Sequence, residues 1–388
     1  MKEKYCKIPK FRFNKFLESW ERLKYEDVIE VNSGKDYKRL DKGDIPVYGT
    51  GGYMLSVSEA ITNKDGVGIG RKGTINKPYI LKAPYWTVDT LFFCIPKNKY
   101  NLYFINAIFE RTQWERFDES TGVPSLSKLT INNIQNYFPS FNEQSAIGSL
   151  FRTLDDLLDS YKDNLANYKS LKATMLSKMF PKAGQTVPEI RLDGFEGEWE
   201  VQTLKELASF SKGNGYTKND LVNSGEEIIL YGRLYTNYQT IISKVNTFVT
   251  TVKANTVISK GGEVIVPSSG ESAEDISRAS VVEKSGIILG GDLNIIYPNR
   301  NKVNSIFLAL TISNGSQQKE LIKRAQGKSV VHLRNNDLEK VVLHYPSIEE
   351  QQAISSYFSN FDNLINSHQE KISQLETLKK KLLQNMFI

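Results

Sequence analysis

A hydrophobic seam at heptad spacing runs through this chain twice. Ile147, Leu154, Tyr161, Tyr168 and Met175 stand seven residues apart, as do Phe151, Leu158, Leu165, Lys172 and Met179. A stripe of that period over roughly five heptads specifies one long helix with a coiled-coil face. The stripe returns 207 positions later as Ile354, Phe361, His368, Leu375 and Leu382, and as Phe358, Ile365, Ile372, Lys379 and Met386. Its polar break recurs too, at Lys172 and Lys379. The helix starts match, Pro139 to Ile147 (PSFNEQSAI) against Pro346 to Ile354 (PSIEEQQAI), and so do the ends, Met179-Phe180 and Met386-Phe387. A helix of about 39 residues, roughly 58 Å long, cannot bury such a seam alone. Two similar seams in one chain can bury each other, and an antiparallel pairing would hold two globular segments at opposite ends of a rod. Packing of each helix on its own domain, or pairing with a second copy, are the competing arrangements. Lys172 and Lys379 are expected to set register, and His368 to be a tolerated polar position.

The globular segments repeat as well. The expected organisation is a mixed α/β domain over 1–141, a helix over 142–181, a second domain over 182–348 and a second helix over 349–388. The fold class is therefore α+β, two mixed α/β domains with an antiparallel helical pair. Pro9 to Trp20 is echoed by Pro188 to Trp199, Asn32-Ser-Gly34 by Ser211-Lys-Gly213, and Val47-Tyr-Gly49 by Ile229-Leu-Tyr-Gly232. Thr87–Ile95 is the strongest strand signal, β-branched and aromatic and stopped by Pro96, and residues 291–298 stand in its place in the second copy. Leu102–Phe109 is expected to be helical, and Leu129–Gln135 a short helical turn. Pro181 and Pro188 end the first long helix. Between these anchors the halves diverge. A repeated frame with different loops suits a protein that reads two different things on one scaffold.

Net charge is +6 over 388 residues, and the excess sits in residues 1–141, with 22 lysines and arginines against 16 acids. A polyanion such as DNA fits that distribution. The two cysteines, Cys6 and Cys94, are far apart and in no metal spacing, so they read as incidental or buried thiols in a reducing compartment. No apolar run approaches the roughly 20 residues needed to span a bilayer, and the start lacks the pattern of a signal peptide. A cytoplasmic protein is expected.

Catalytic constellations are not found. The three histidines, His332, His344 and His368, all lie in the second half and have no ligand partner at helical spacing. A catalytic histidine used by both copies is excluded. Gly68 to Gly73 matches G-x-G-x-x-G, but no βαβ unit follows. There is no Walker lysine motif and no G-x-S-x-G. A binding protein, with no metal site and no catalytic residue of its own, is the expectation.

Two repeats in this order resemble the specificity (S) subunit of type I restriction–modification systems. The resemblance spans essentially the whole chain. It rests chiefly on Pro188–Gly213, the Pro-x-x-x-Glu-Gln-x-Ala-Ile helix starts at 139–147 and 346–354, and the helix ends at 171–180 and 378–387. It implies that each globular segment is a target recognition domain reading one half of a bipartite DNA sequence. It further implies that the helices act as a spacer and dock two methyltransferase (modification) subunits, joined by restriction/translocase subunits. S-adenosylmethionine, ATP and Mg would be used by those partners, and none of them by this chain. Basic or aromatic residues in glycine-rich or polar turns are the candidate DNA contacts. They are Lys35, Lys38, Arg39, Arg71, Lys72, Lys77 and Lys128 in the first domain. In the second they are Lys212, Tyr216, Lys218, Arg233, Arg278, Lys328 and Arg334. A stand-alone dimeric DNA-binding protein and a coiled-coil scaffold joining two protein-binding modules are the alternatives.

Overall fold

In the computed structural model, residues 8–327 and 330–388 are described. They form two compact units, Met1–Asn164 with His368–Ile388, and Leu165–Ser367. Each long helix therefore contributes a part to both units, which the linear segments of the sequence do not suggest.

The first unit is built on a four-stranded antiparallel sheet. Its strands are β1 (Ile29–Ser33), β2 (Gly66–Gly70), β3 (Tyr79–Leu81) and β4 (Leu91–Pro96), in the order β1-β4-β2-β3. In the second unit β5 (Ala208–Lys212), β6 (Glu263–Pro267), β7 (Ser280–Val282) and β8 (Leu293–Pro298) repeat that order as β5-β8-β6-β7. A fifth short strand, Ile241–Ile242, adds parallel to β7. The registers agree as well: Ser33 faces Phe92 as Lys212 faces Asn294. The divergence lies beside these sheets. The first unit carries a small sheet of Lys42–Gly49, Gly52–Val57 and Trp86–Thr87, whereas the second builds one of five strands over Leu221–Leu289.

Thr87–Ile95, expected as one strand, is split. Trp86–Thr87 pairs with Val47 and Tyr48, and the chain turns through Val88–Thr90 before β4 begins. The cause is local competition for hydrogen bonds. The Val88 amide donates to Tyr48 of the neighbouring hairpin, and the Thr87 carbonyl accepts from Lys35. Gly68 and Gly70 have a packing role: β2 is buried at all five residues, and a Cβ on Gly70 would stand 2.0 Å from the Thr74 carbonyl oxygen, whereas Gly73 meets no such crowding and holds a left-handed turn, φ 86°. Cys94 is buried in the same sheet, where burial pushes its thiol pKa up, and Cys6 lies outside the described residues.

One helix closes each sheet. α1 (Leu102–Arg111) is capped by Asn101, whose side chain accepts from the Tyr103 and Phe104 amides. α3 (Ser305–Ile312) is capped in the same way by Asn304. The long helices are α2 (Phe141–Lys178) and α4 (Ile348–Asn385). Their shared Glu-Gln start now has a physical account. Glu143 is 1 % exposed and takes two charge-assisted bonds from Arg12, 2.7 and 2.8 Å. Glu350 takes two from Arg191, 2.7 and 2.6 Å. Gln144 accepts from the Asn101 amide and donates to the Pro139 carbonyl. Gln351 makes the same two bonds with Asn304 and Pro346. Each helix start is thus pinned to the cap of the helix on the sheet.

Pairing of the long helices is antiparallel within each unit. In the first, Asp155 meets Lys379, Tyr161 meets His368 with ring centroids 5.3 Å apart, and Lys162 meets Glu376. In the second, Lys172 binds Asp362 and Phe180 stacks on Phe358. Of the seam, Ile147, Phe151, Leu154, Leu158, Ile354, Phe358, Phe361, Leu375 and Met386 are buried. Tyr161, Leu165, Tyr168, Met175, Ile365, Ile372 and Leu382 are half-buried. The gradient follows from geometry, because a two-helix seam covers only one side and becomes fully dry where a globular core closes over it. Lys172 and Lys379 sit at their seam positions as ion-paired residues. Lys379 reaches Asp155 at 2.5 Å and Glu110 at 2.6 Å. Burial works against its ammonium, but the two carboxylates outweigh burial and hold its pKa above the ordinary value.

Candidate nucleic-acid interface

The candidate cations gather where β1 ends, β4 begins and β2 ends, since Ser33 faces Phe92 and Gly70 faces Leu91. Gly34 leaves β1 there with its amide on the Leu91 carbonyl. A Cβ at Gly34 would come within 2.0 Å of the Val88 carbonyl oxygen, so only glycine lets the loop turn this tightly against the sheet. The second unit repeats the device. Gly213 donates to Leu293, and a Cβ there would be 2.0 Å from the Gly290 carbonyl oxygen. The turn that launches the variable loop is the same in both copies.

From this turn the first unit presents Lys35, Lys38 and Arg39 in one loop, all exposed. Lys35 is anchored through its backbone, its carbonyl accepting the Trp86 indole at 2.9 Å, so its side chain is left outward. Arg71, Lys72 and Lys77 lie in the loop after β2 and are exposed. The Arg71 and Lys72 amides both donate to Thr90, at the start of β4. Lys72 bridges to Ser125, which draws in the segment carrying Lys128 at the start of the Ser127-capped helix Lys128–Asn133. All seven first-domain candidates thus belong to loops tied to one sheet end.

In the second unit the picture is mixed. Lys212, at the tip of β5, and Arg334 are exposed, and Asn335 links their segments by donating to the Ser211 carbonyl at 3.0 Å. Lys218 is exposed on a loop joined to the same end through the Gly291 amide and Tyr216 carbonyl. Tyr216 itself corrects the expectation: it is 3 % exposed. Its hydroxyl donates to the Thr251 carbonyl and accepts the Lys253 amide, with the Lys253 ammonium 4.5 Å from its ring centre. It is a core residue that braces a loop. Lys253 also fixes Asp220, whose carboxyl is held down at about 2 by that ammonium and by Thr217. Arg233 is a second correction. Its guanidinium is spent on Asn246, Gln239 and the Lys244 carbonyl, and burial disfavours its charge. Arg278 lies over the Tyr238 ring, 5.7 Å from its centre, in a recess beside α3. Lys328 lies outside the described residues.

A cleft of about 640 Å³ opens next to Lys218, walled by Tyr231, Tyr235, Asn237, Asn246 and Asp292. Sequence reading had no signal for it, because it brings residues 231–237 and 246–247 against residues 216–221 and 291–292, which are far apart in the chain. Asp292 holds a left-handed backbone, φ 58°, and its carbonyl accepts the Ser268 amide. No group of three or more His, Cys, Asp or Glu able to hold a metal occurs among the described residues. No helix among them is long and apolar enough to cross a membrane.

A repeated α/β frame, loops that differ at one sheet end, and paired long helices define a duplicated recognition scaffold. The family described as type I restriction modification DNA specificity domain matches residues 17–167 and again 196–377, and the chain belongs to that family. Among its relatives, the type I restriction enzyme MjaVIII specificity subunit of Methanocaldococcus jannaschii is 21 % identical over 277 residues, 68 % of this chain and 64 % of that protein. A putative type I restriction enzyme MjaX specificity subunit of the same organism is 30 % identical over 121 residues, 30 % of this chain and 28 % of that protein. The chain therefore spans less than two thirds of the length of these curated relatives. In fold it is similar to the S subunit of the type I restriction–modification system of M. genitalium, with a TM-score of 0.70 at 13 % identity, covering 98 % of this chain and 99 % of that one.

Proposed function

We propose that this chain is the DNA-specificity subunit of a type I restriction–modification complex and is itself non-catalytic. Each domain reads one half of a bipartite duplex target. The helices set the spacer between the halves and dock two modification subunits, which bring S-adenosylmethionine. Restriction/translocase subunits using ATP and Mg join that core, in the cytoplasm with the DNA.

One observation supports this reading above the others. The same crowded glycine turn, Gly34 and Gly213, launches a different cation-bearing loop from the same sheet end in each copy. Sequence readout needs side chains at base edges, held in place by phosphate contacts, and diverged loops on an invariant frame supply both. We assign the contact surface to Lys35, Lys38, Arg39, Arg71, Lys72, Lys77 and Lys128 in the first domain, and to Lys212, Lys218 and Arg334 in the second.

A long-read methylome of the source strain, with and without this gene, tests the reading. Loss of one bipartite methyl-adenine motif on deletion is the expected result. A methylome unchanged when the gene is expressed together with its modification subunit would overturn it.

A further inference from the structure

The two copies share a branch point beside the sheet and leave it differently. In the first unit the Thr87 carbonyl accepts the Lys35 amide, and the Val88 amide donates to the Tyr48 carbonyl. In the second the Leu289 carbonyl accepts the Asn214 amide, and the Gly290 amide donates to the Ile229 carbonyl. The strands Lys42–Gly49 and Glu226–Ile229 are therefore delivered to the same place on the frame, next to the crowded glycine turn, and each runs parallel to its neighbour there. Past that place nothing is shared. The second copy bends through Leu230 and Tyr231 into the short helix Arg233–Thr236, and these residues wall the cleft of about 640 Å³. The first copy turns tightly through Thr50 and Gly51, with Gly52 at φ 103°, and returns as the strand Gly52–Val57. The side chains that follow the turn, Tyr53 and Met54, are 63 % and 49 % exposed. One copy presents a recess where the other presents a projection.

The projection is braced, and it shares its anchors with cationic loops. Tyr53 pairs with Tyr48 across the hairpin, and Gly52 with Gly49. The Tyr48 ring meets Tyr53 edge-on at 6.4 Å and lies 6.1 Å from Tyr79. The Tyr79 hydroxyl donates to the Gly49 carbonyl at 2.6 Å. A Cβ on Gly49 would stand 2.7 Å from the Met54 sulfur, so the thioether lies across bare backbone. Lys77 precedes Tyr79 by two residues, and Lys35 hangs from the branch point through its amide bond to Thr87. Single exposed apolar residues need no explanation. Two adjacent large ones on a braced tip, with exposed lysines on the loops that anchor it, match a ligand that offers phosphates and, between them, stacked apolar faces.

We propose that Tyr53 and Met54 form an apolar wedge that enters the first half-site and partly unstacks one base step, while the second domain binds its half-site without one. The inference rests on the specificity-subunit reading above and deepens it. Unstacking a step costs free energy that depends on the step, and pyrimidine–purine steps yield most readily. A wedge therefore selects sequence without a hydrogen bond to any base edge. The flexible, polarizable thioether fills the opened gap, and the tyrosine ring stacks on the exposed base. The occupant is a duplex, because an apolar protein patch seated on the tip would leave the neighbouring ammonium groups without anions.

The test uses the chain in complex with its modification subunit, on the bipartite duplex that the methylome defines. Tyr53→Ser with Met54→Ser removes the wedge, and Tyr53→Phe keeps its ring. Met54→Ser alone leaves the Tyr48 packing intact and stands in if the double variant fails to fold, with a partial loss expected. The fluorescent base 2-aminopurine replaces, in turn, purines of each half-site that are neither the methylated adenine nor adjacent to it. Binding of wild type and of Tyr53→Phe should raise fluorescence at one step of the first half-site and at none of the second, and the double variant should lose that rise. Its affinity for the target should fall about tenfold, with the same salt dependence as wild type because no phosphate contact is lost. Its preference for a pyrimidine–purine step at that position should disappear, and the letters of the second half-site should stay. A fluorescence rise retained by the double variant would overturn the inference. So would a lost letter with no rise in wild type, which would make Tyr53 and Met54 groove contacts, or a loss of bound modification subunits from the double variant, which would put the tip at a protein interface. A wild-type complex that binds no bipartite duplex refutes the underlying reading instead.

Discussion

Phe387 packs edge-on against Trp20, with ring centroids 6.2 Å apart. It also lies 5.4 Å from Phe104 and 5.8 Å from Phe151, so the end of α4 completes the core of the first unit. In the second unit Phe180, just past α2, does the same against Trp199, Phe307 and Phe358. The aromatic that closes each repeat in sequence is therefore a core residue of the other repeat's globular domain.

Truncating either aromatic should act locally. Phe387→Ala should cost about 3–5 kcal/mol in the first unit, the usual range for a buried phenylalanine, and Phe180→Ala should cost the same in the second. Hydrogen exchange should show Leu102–Arg111 losing protection in the first variant and Ser305–Ile312 in the second. Equal loss in both helices for either variant would contradict the assignment.

The Arg12–Glu143 and Arg191–Glu350 pairs are nearly dry. Arg12→Ala leaves Glu143 as a buried, uncompensated charge, and breaking such a pair costs about 3–5 kcal/mol. Replacing both partners by apolar residues, Arg12→Met with Glu143→Leu, should recover most of that, because the desolvation of two charges disappears with them. Urea melts of the two variants give the comparison.

Lys379 sits between Asp155 and Glu110, so its loss sets two carboxylates against each other. Lys379→Met should be destabilising at pH 7 and should regain stability as pH falls and the carboxylates protonate. Wild type carries the opposite dependence at the other end of the scale. The raised ammonium pKa makes its contribution complete below the unfolded lysine value and lost as pH rises through the folded one. Thermal melts between pH 5 and 8 should show the variant gaining on wild type as pH falls, and melts above about pH 10.4, the ordinary lysine value, should show wild type losing its contribution.

His344 pairs with Val201 in the strand Val342–Tyr345, and burial lowers its imidazole pKa. Its Nδ1 is buried without a hydrogen-bond partner. The unfolded chain therefore binds the proton more readily, so the folded state is favoured above about pH 6.5, the ordinary histidine value. Stability should fall as pH drops below that value. His344→Gln should flatten that part of the melting-temperature profile, and an unchanged slope would remove His344 as its cause.

The helices as a ruler make a further prediction. Inserting four residues into both α2 and α4 lengthens each by about 6 Å, close to two base-pair steps at roughly 3.4 Å each. The methylated motif should keep its half-site letters and gain spacer. An unchanged spacer would refute the ruler.

Much of this architecture is written in periodicity. The heptad stripes place nearly the whole seam, and the Asn-Ser-Gly34 and Ser-Lys-Gly213 echo marks the turns that launch the diverged loops. The candidate site is less legible. Lysines and arginines in polar turns look alike in sequence whether they face solvent, as Lys35 does, or are consumed internally, as Arg233 is. Tyr216 is an aromatic in a glycine-rich loop, which reads as an exposed contact until Lys253 and Thr251 are seen to close over it. The G-x-G-x-x-G run fails as a phosphate motif for a related reason: Gly68 and Gly70 answer crowding within the sheet, and Gly73 a left-handed turn after it.

The sequence by itself determined the duplication, the two long amphipathic helices and the frame that repeats around diverged loops. These are local or periodic properties, and a period survives in the sequence whatever packs against it. Only the tertiary structure decided that Phe180 and Phe387 change places between the repeats' cores. It also decided that Arg12 and Arg191 are spent on helix starts, and that the loop cations converge on one sheet end. Such facts depend on contacts between residues far apart in the chain, and hydrophobic burial and ion pairing select among those only once the whole fold has closed.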